Sequence, residues 1–284
     1  MPQRWVGRFA AVFAAIVVAF STVQPAAAAP SNTQPVAVRF AAANGWEIGT
    51  LAYPGEEPTV LLYLTRRTAD GVTLATEGTA EFEALALEAG FAFAGTRAGD
   101  LLATADSLGA GASASAALGL PWTDGYAWRL TGGPHNNYGK RKHPWSSLDF
   151  NGPDSGGSYM VRSARGGIVT RPCANLVQIR HGDGWTTSYY HLRNIQVRSG
   201  QSIGRGELLG YTSTNAGCGG YASGPHVHFS VLKNGSHVNL DGLAIGGWKI
   251  KEGPRQYYGC LVRNGSKKCA PGGSVYNSGA IGSG

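Results

Sequence analysis

The chain has 284 residues, of which 43% are apolar and only 14% charged, with 43 glycines and a formal net charge of +7. The apolar fraction is ordinary for a globular protein, so there is enough material for a packed core. The four cysteines (Cys173, Cys218, Cys260 and Cys269) form no CxxC pair, which excludes a cysteine-rich zinc ribbon.

The first elements set a compartment. "MPQRWVGRF" carries Arg4 and Arg8, "AAVFAAIVVAF" is apolar, and "VQPAAAAP" ends in small residues suited to cleavage. That order predicts a secretory signal over residues 1–29, with an apolar stretch too short to span a bilayer comfortably. No later stretch has the length of a membrane helix, so a released, extracellular protein is expected. In an exported chain, four cysteines are read most simply as two disulfides, with three connectivities open.

Residues 30–111 carry 4 Lys+Arg against 10 Asp+Glu, and residues 112–284 carry 18 against 7, giving −6 and +11. This asymmetry marks a boundary. It fits an acidic pro-segment covering a basic domain, and equally an accessory domain with an unrelated surface. "VAVRFAA", "WEIGTLAY" and "TVLLYLT" predict strands, and "AEFEALALEAGFAFA" predicts the one convincing helix. The small-residue run Gly109–Gly119 reads as an exposed linker open to proteolysis.

Beyond it, short alternating runs predict a mainly β domain over 112–284, with its core at about 120–270. They are "YMVRSARGGIVTR", "NLVQIRHGDGWTTSYYHL", "IQVRSGQSI", "ELLGYTST", "HVHFSVLKNGSHVNL" and "GGWKIKEG". "HGDGW" is a hairpin signal, because Asp-Gly tolerates the positive φ of a tight turn. A compact antiparallel sheet or sandwich is expected, and "APGGSVYNSGAIGSG" reads as a loose tail.

The chemistry rests on histidine. The basic domain has only Glu207 and Glu252, no HExxH and no G-x-S-x-G. In "SGPHVHFS", His226 and His228 share one strand face about 7 Å apart along the chain. They are either a pair on a wet sheet face or part of a metal site. The other candidates are His135 in "TGGPHNN", His143 in "KHPWSS", Asp149 in "SSLDF" and His191 in "SYYHL". Asp149 lies between Leu148 and Phe150, where an unpaired charge is costly, so it is held by a cation or a metal, or caps a turn at a strand edge.

Taken together, "VQIRHGDGWTTSYYHL", "VRSGQSIGRGELLGYTSTN" and "SGPHVHFSV" resemble the zinc peptidases of the lysostaphin family. "LPWTDGYAWRLTGGPHN" followed by "SSLDF" is similar to its beta-lytic metalloendopeptidase and staphylolysin branch, and the resemblance covers about Leu120 to Cys269. It implies a lysostaphin-like catalytic domain of the duplicated hybrid motif type, preceded by a small α+β pro-segment. It implies one zinc ion held by His135, Asp149 and His228, with His191 and His226 as catalytic residues. It pairs Cys173 with Cys218 and Cys260 with Cys269, and places Tyr257, or Tyr258, near the developing oxyanion. His143 is left as a surface loop residue, and His181 and His237 as turn or strand residues. The implied partners are bacterial peptidoglycan peptides and glycine-rich proteins, with no nucleic acid, no stable membrane anchoring and a monomeric state. A non-catalytic wall-binding or regulatory module on the same fold is the alternative.

Overall fold

The computed structural model describes residues 34–55, 57–106, 117–136, 143–152 and 159–281. The predicted signal segment and residues 109–116 of the predicted linker lie outside the described residues. The last part of that run is not exposed, because Leu118 is fully buried and bridges Ile245.

Period-two alternation forms β1 (Val36–Ala43), β2 (Trp46–Tyr53), β3 (Thr59–Thr68) and β4 (Gly71–Thr76), an antiparallel meander in that order. Asn44 and Gly45, at φ +50° and +80°, make the β1–β2 turn, the pair of positive φ values that a tight hairpin requires. Thr79 accepts from the Phe82 amide and starts α1 (Ala80–Ala92). A second helix, α2 (Arg97–Asp106), corrects the expectation of a single one. It begins at Thr96, whose hydroxyl accepts from the Gly99 amide at 3.3 Å. Ile48, Leu62, Leu64, Phe82, Phe93 and Leu101 fill a core belonging to this unit.

The rest is mostly β. Its strands are β5 (Ala127–His135), β6 (Ser147–Asn151), β7 (Met160–Arg162), β8 (Gly167–Thr170), β9 (Val177–Arg180) and β10 (Trp185–Tyr190). Then come β11 (Leu192–Arg193), β12 (Ser202–Ile203), β13 (Leu208–Thr212), β14 (Val227–Lys233), β15 (Ser236–His237) and β16 (Ala244–Ile245). The last four are β17 (Trp248–Glu252), β18 (Gly259–Arg263), β19 (Ser266–Ala270) and β20 (Gly273–Tyr276). The main sheet runs β12-β8-β9-β10-β14-β6-β5-β20, with β15 on β14; smaller sheets are β11-β13-β7 and β16-β17-β18-β19. The predicted loose tail is instead β20, paired with β5, with Val275 fully buried and the Asn277 amide donating to Trp122 O.

The main sheet has two unlike faces, set by strand alternation. One carries Val177, Ile179, Tyr189, Val227, Phe229, Val231, Leu148 and Phe150 into the core with the stacked Trp122 and Trp128. The other is polar. Its cross-strand rows are Arg180–Thr186–Leu232–His237, Gln178–Ser188–Ser230–Ser147–His135 and Tyr190–His228–Asp149–Gly132.

The N-terminal unit lies against this polar face. Arg180 makes a bidentate pair with Glu77 at 2.5 and 2.7 Å, and the Gly55 amide donates to Cys218 O at 2.7 Å. Ala52 and Val60 share a small apolar cluster with Leu176, Tyr190 and Cys218. Cys173 is bonded to Cys218, and Cys260 to Cys269 across β18–β19.

Candidate metal centre

Three strands deliver the candidate ligands. His135 ends β5, Asp149 lies in β6, and His228 is paired with Asp149 from β14. Register shifts between Leu130 and Gly132 and between Gly132 and His135 let β5 turn its end toward the other two. Gly132 faces Asp149 so closely that a Cβ there would lie 2.4 Å from Oδ2.

Ligand-capable atoms of these three residues lie within 4.8 Å of one another. The edges of the triangle are 3.3 Å between His135 Nε2 and His228 Nδ1, 3.5 Å between His135 Nε2 and Asp149 Oδ1, and 3.0 Å between His228 Nδ1 and Asp149 Oδ1. A tetrahedral zinc with bonds of about 2.0–2.1 Å needs ligand–ligand edges of roughly 3.4 Å. Two imidazoles and one carboxylate at these spacings fit that ion.

Each imidazole is turned by an acceptor that fixes one nitrogen and frees the other. His135 Nδ1–H donates to Gly133 O at 2.7 Å, His191 Nδ1–H to Asn215 O at 2.8 Å, and His226 Nδ1–H to Gly224 O at 2.8 Å. Their Nε2 atoms are thereby left as acceptors. His228 is turned the other way, with Nε2–H donating to Glu57 Oε2 at 3.2 Å and Nδ1 left for the triangle. His191 sits just past β10 at φ +62°, a left-handed value uncommon for a non-glycine residue, and its ring lies 4.8 Å from His226 and 6.1 Å from His228. His226 Nε2 is 3.5 Å from Asp149 Oδ1.

The electrostatics describe a place for a cation. Burial opposes ionisation of Asp149, but His135 and His228 hold its carboxyl below the usual range. Burial also disfavours the charged form of His228, yet Glu57 and Asp149 push its pKa up to about 10. A zinc ion at Nδ1 would take the place of that proton. Burial, aided by the charge of His228, brings His191 down to about 4, so it is neutral near pH 7.

The structure brings His135, Asp149, His191, His226 and His228 together. Tyr257 stacks on the His135 ring with centroids 4.1 Å apart, whereas Tyr258 receives a hydrogen bond from Arg255. His143 stands apart and exposed, stacked on Trp145. His181 is buried, bonded to Gly166 O and Thr187. His237 lies in β15 as expected of a strand residue, but its Nδ1 is 3.1 Å from Glu57 Oε1. Glu57, which contacts His228 from the acidic N-terminal unit, was not among the residues the sequence pointed to.

The match to the family model described as peptidase family M23 runs over residues 143–240 and so includes Asp149, His191, His226 and His228 but not His135, Tyr257 or Tyr258. The beta-lytic metalloendopeptidase of Lysobacter enzymogenes is 35% identical over 164 residues, which are 54% of this chain and 92% of that protein. The chain belongs to peptidase family M23. This M23 peptidase is also 36% identical over 197 residues to protease LasA of Pseudomonas aeruginosa, covering 62% of this chain and 47% of LasA. It thus spans about half the length of LasA. Among solved structures, the deep-sea M23 metalloprotease pseudoalterin matches with a TM-score of 0.52 at 37% identity, over 58% of this chain and 99% of that one.

Proposed function

We propose that this M23 metallopeptidase is an exported zinc endopeptidase that hydrolyses glycine-containing peptide bonds of bacterial peptidoglycan, with residues 30–111 acting as a pro-segment. The carrying observation is the triangle of His135 Nε2, Asp149 Oδ1 and His228 Nδ1, with edges of 3.0–3.5 Å, beside two histidines whose Nε2 atoms are acceptors. Bound there, zinc supplies a Lewis acid for the scissile carbonyl and lowers the pKa of a water. The chain's own residues move the protons. His191 and His226, each locked by a main-chain carbonyl, share taking a proton from the water and giving one to the leaving amine. Tyr257, resting on His135, is the candidate donor to the developing oxyanion. The resemblance of the domain supplies the bond class and the glycine-rich protein alternative. The +11 charge of residues 112–284 favours an anionic wall. With all five site positions filled, a decayed binding module is the weaker reading.

Hydrolysis of a glycyl peptide and of cell walls by the processed domain tests this. Activity should disappear with a chelator, return with zinc, and be absent in His228→Ala; undiminished hydrolysis without zinc would overturn the reading.

A further inference from the structure

Glu57, in the loop between β2 and β3, is 5% exposed and meets four groups of the basic domain. Its Oε1 lies 2.5 Å from Ser147 Oγ, 3.2 Å from Ser146 Oγ and 3.1 Å from His237 Nδ1, and its Oε2 lies 3.2 Å from His228 Nε2. Two hydroxyls and two imidazoles around one carboxylate satisfy its acceptor capacity in a way that a chance surface contact does not. The backbone is seated as well: Gly55 donates to Cys218 O, and Gly219, at φ +88°, comes so near that a Cβ there would be 3.1 Å from Gly55 N.

Around this point the N-terminal unit covers polar groups. Ser147, Gln178, Arg180, Thr186, Ser188 and Ser230 share the sheet face with the candidate ligands, and all are buried. Among the described residues, neither terminal atom of the Gln178 side chain has a partner. Buried polar groups are normally satisfied, so a face with an orphaned amide is suited to meeting water or a peptide at another stage.

We infer that Ser146, Ser147, His237 and the outer nitrogen of His228 form a carboxylate-binding site, and that Glu57 in this site keeps residues 34–106 closed over the metal centre of the uncut chain. The inference rests on the peptidase reading and specifies how its site is kept shut.

The test uses the unprocessed protein as wild type, Glu57→Gln, Glu57→Ala and Glu47→Gln. The last removes the carboxylate charge that accepts from the Tyr63 hydroxyl and faces Arg39 inside the N-terminal sheet, and serves as a control for general weakening of that unit. Two readouts are taken: glycyl-peptide hydrolysis relative to the cut and cleared domain, and hydrogen exchange at the Gly55 amide, which needs no zinc. Both Glu57 variants should raise hydrolysis and Gly55 exchange on the order of tenfold or more, since losing one partner of a buried charged pair loosens docking by at least that factor. Glu47→Gln should move neither to that extent. The inference is overturned if the uncut wild type is as active as the cleared domain, if Gly55 stays protected in Glu57→Ala, or if Glu47→Gln opens the chain equally. An inactive cleared domain would instead refute the peptidase reading, leaving the exchange result to decide the carboxylate site.

Discussion

Replacing Gly132 by alanine adds one methyl group at the back of the metal centre. The new Cβ would lie 2.4 Å from Asp149 Oδ2 and 3.0 Å from Asp149 Cβ and Cγ, where ordinary contact begins at 3.4 Å. The carboxylate must therefore withdraw by about 1 Å, and in a ligand triangle with bonds of roughly 2 Å that removes one of three ligands. Even disturbing a partner outside the ligand set typically costs 10–100-fold in metal affinity, so a loss of at least about 100-fold in zinc affinity is expected, with activity falling in parallel. The overpacking itself should cost about 1–3 kcal/mol of zinc-free stability. At roughly 2–4 °C per kcal/mol for a domain of this size, that lowers Tm by a few degrees without unfolding the protein. Competition against a chelating dye measures the first effect, and calorimetry of the zinc-free protein the second. A folded Gly132→Ala protein that binds zinc as tightly as wild type would refute the placement of Asp149 as a ligand held from behind.

Two other perturbations have worked expectations. His181 is buried against Gly166 O and Thr187, and burial lowers its pKa to about 4, below the 6.5 of the unfolded chain. The unfolded state thus takes up the proton first, so this contribution is present above about pH 6.5 and lost as pH falls toward 4, on the order of 3 kcal/mol. Urea unfolding of zinc-free wild type and His181→Gln between pH 7.5 and 4.5 should show the difference between them changing with that sign; a constant difference would refute it. Opening Cys260–Cys269, nine residues apart, should cost about 3 kcal/mol by loop entropy, and opening Cys173–Cys218, 45 apart, about 4 kcal/mol. Denaturation of the two double-serine variants checks the ranking, and the reverse order would mean that local packing outweighs chain entropy.

The sequence discloses what is local. Asp183-Gly184 turns β9 into β10, and alternation from the residue before β14 into that strand puts His226 and His228 on one side. Other features are silent for physical reasons. Strand β5 has no alternating signal in "LTGGPH", because its glycines serve a bulged strand that fits around Asp149 and Tyr258 rather than a regular pleat. Strand β20 is recognisable only through β5, which lies more than a hundred residues earlier. The start of α2 depends on a single cap, Thr96, before a helix with an interior glycine. Glu57 and His228 are 171 positions apart, and "PGEEPT" looks like any polar hairpin loop.

The N-terminal unit meets the rest of the chain through polar contacts, a small apolar cluster and Ile168, which joins a main core otherwise its own. It behaves as a tethered ligand. While the chain joins Asp106 to Ala117, the unit faces the metal centre at an effective concentration on the order of millimolar, which suffices for a contact of modest intrinsic affinity. Cutting that tether changes no atom at the centre, yet it replaces millimolar by the bulk concentration of the free segment. On the proposed reading, dilution after the cut would then open the face, and the most dilute protein would be the most fully opened.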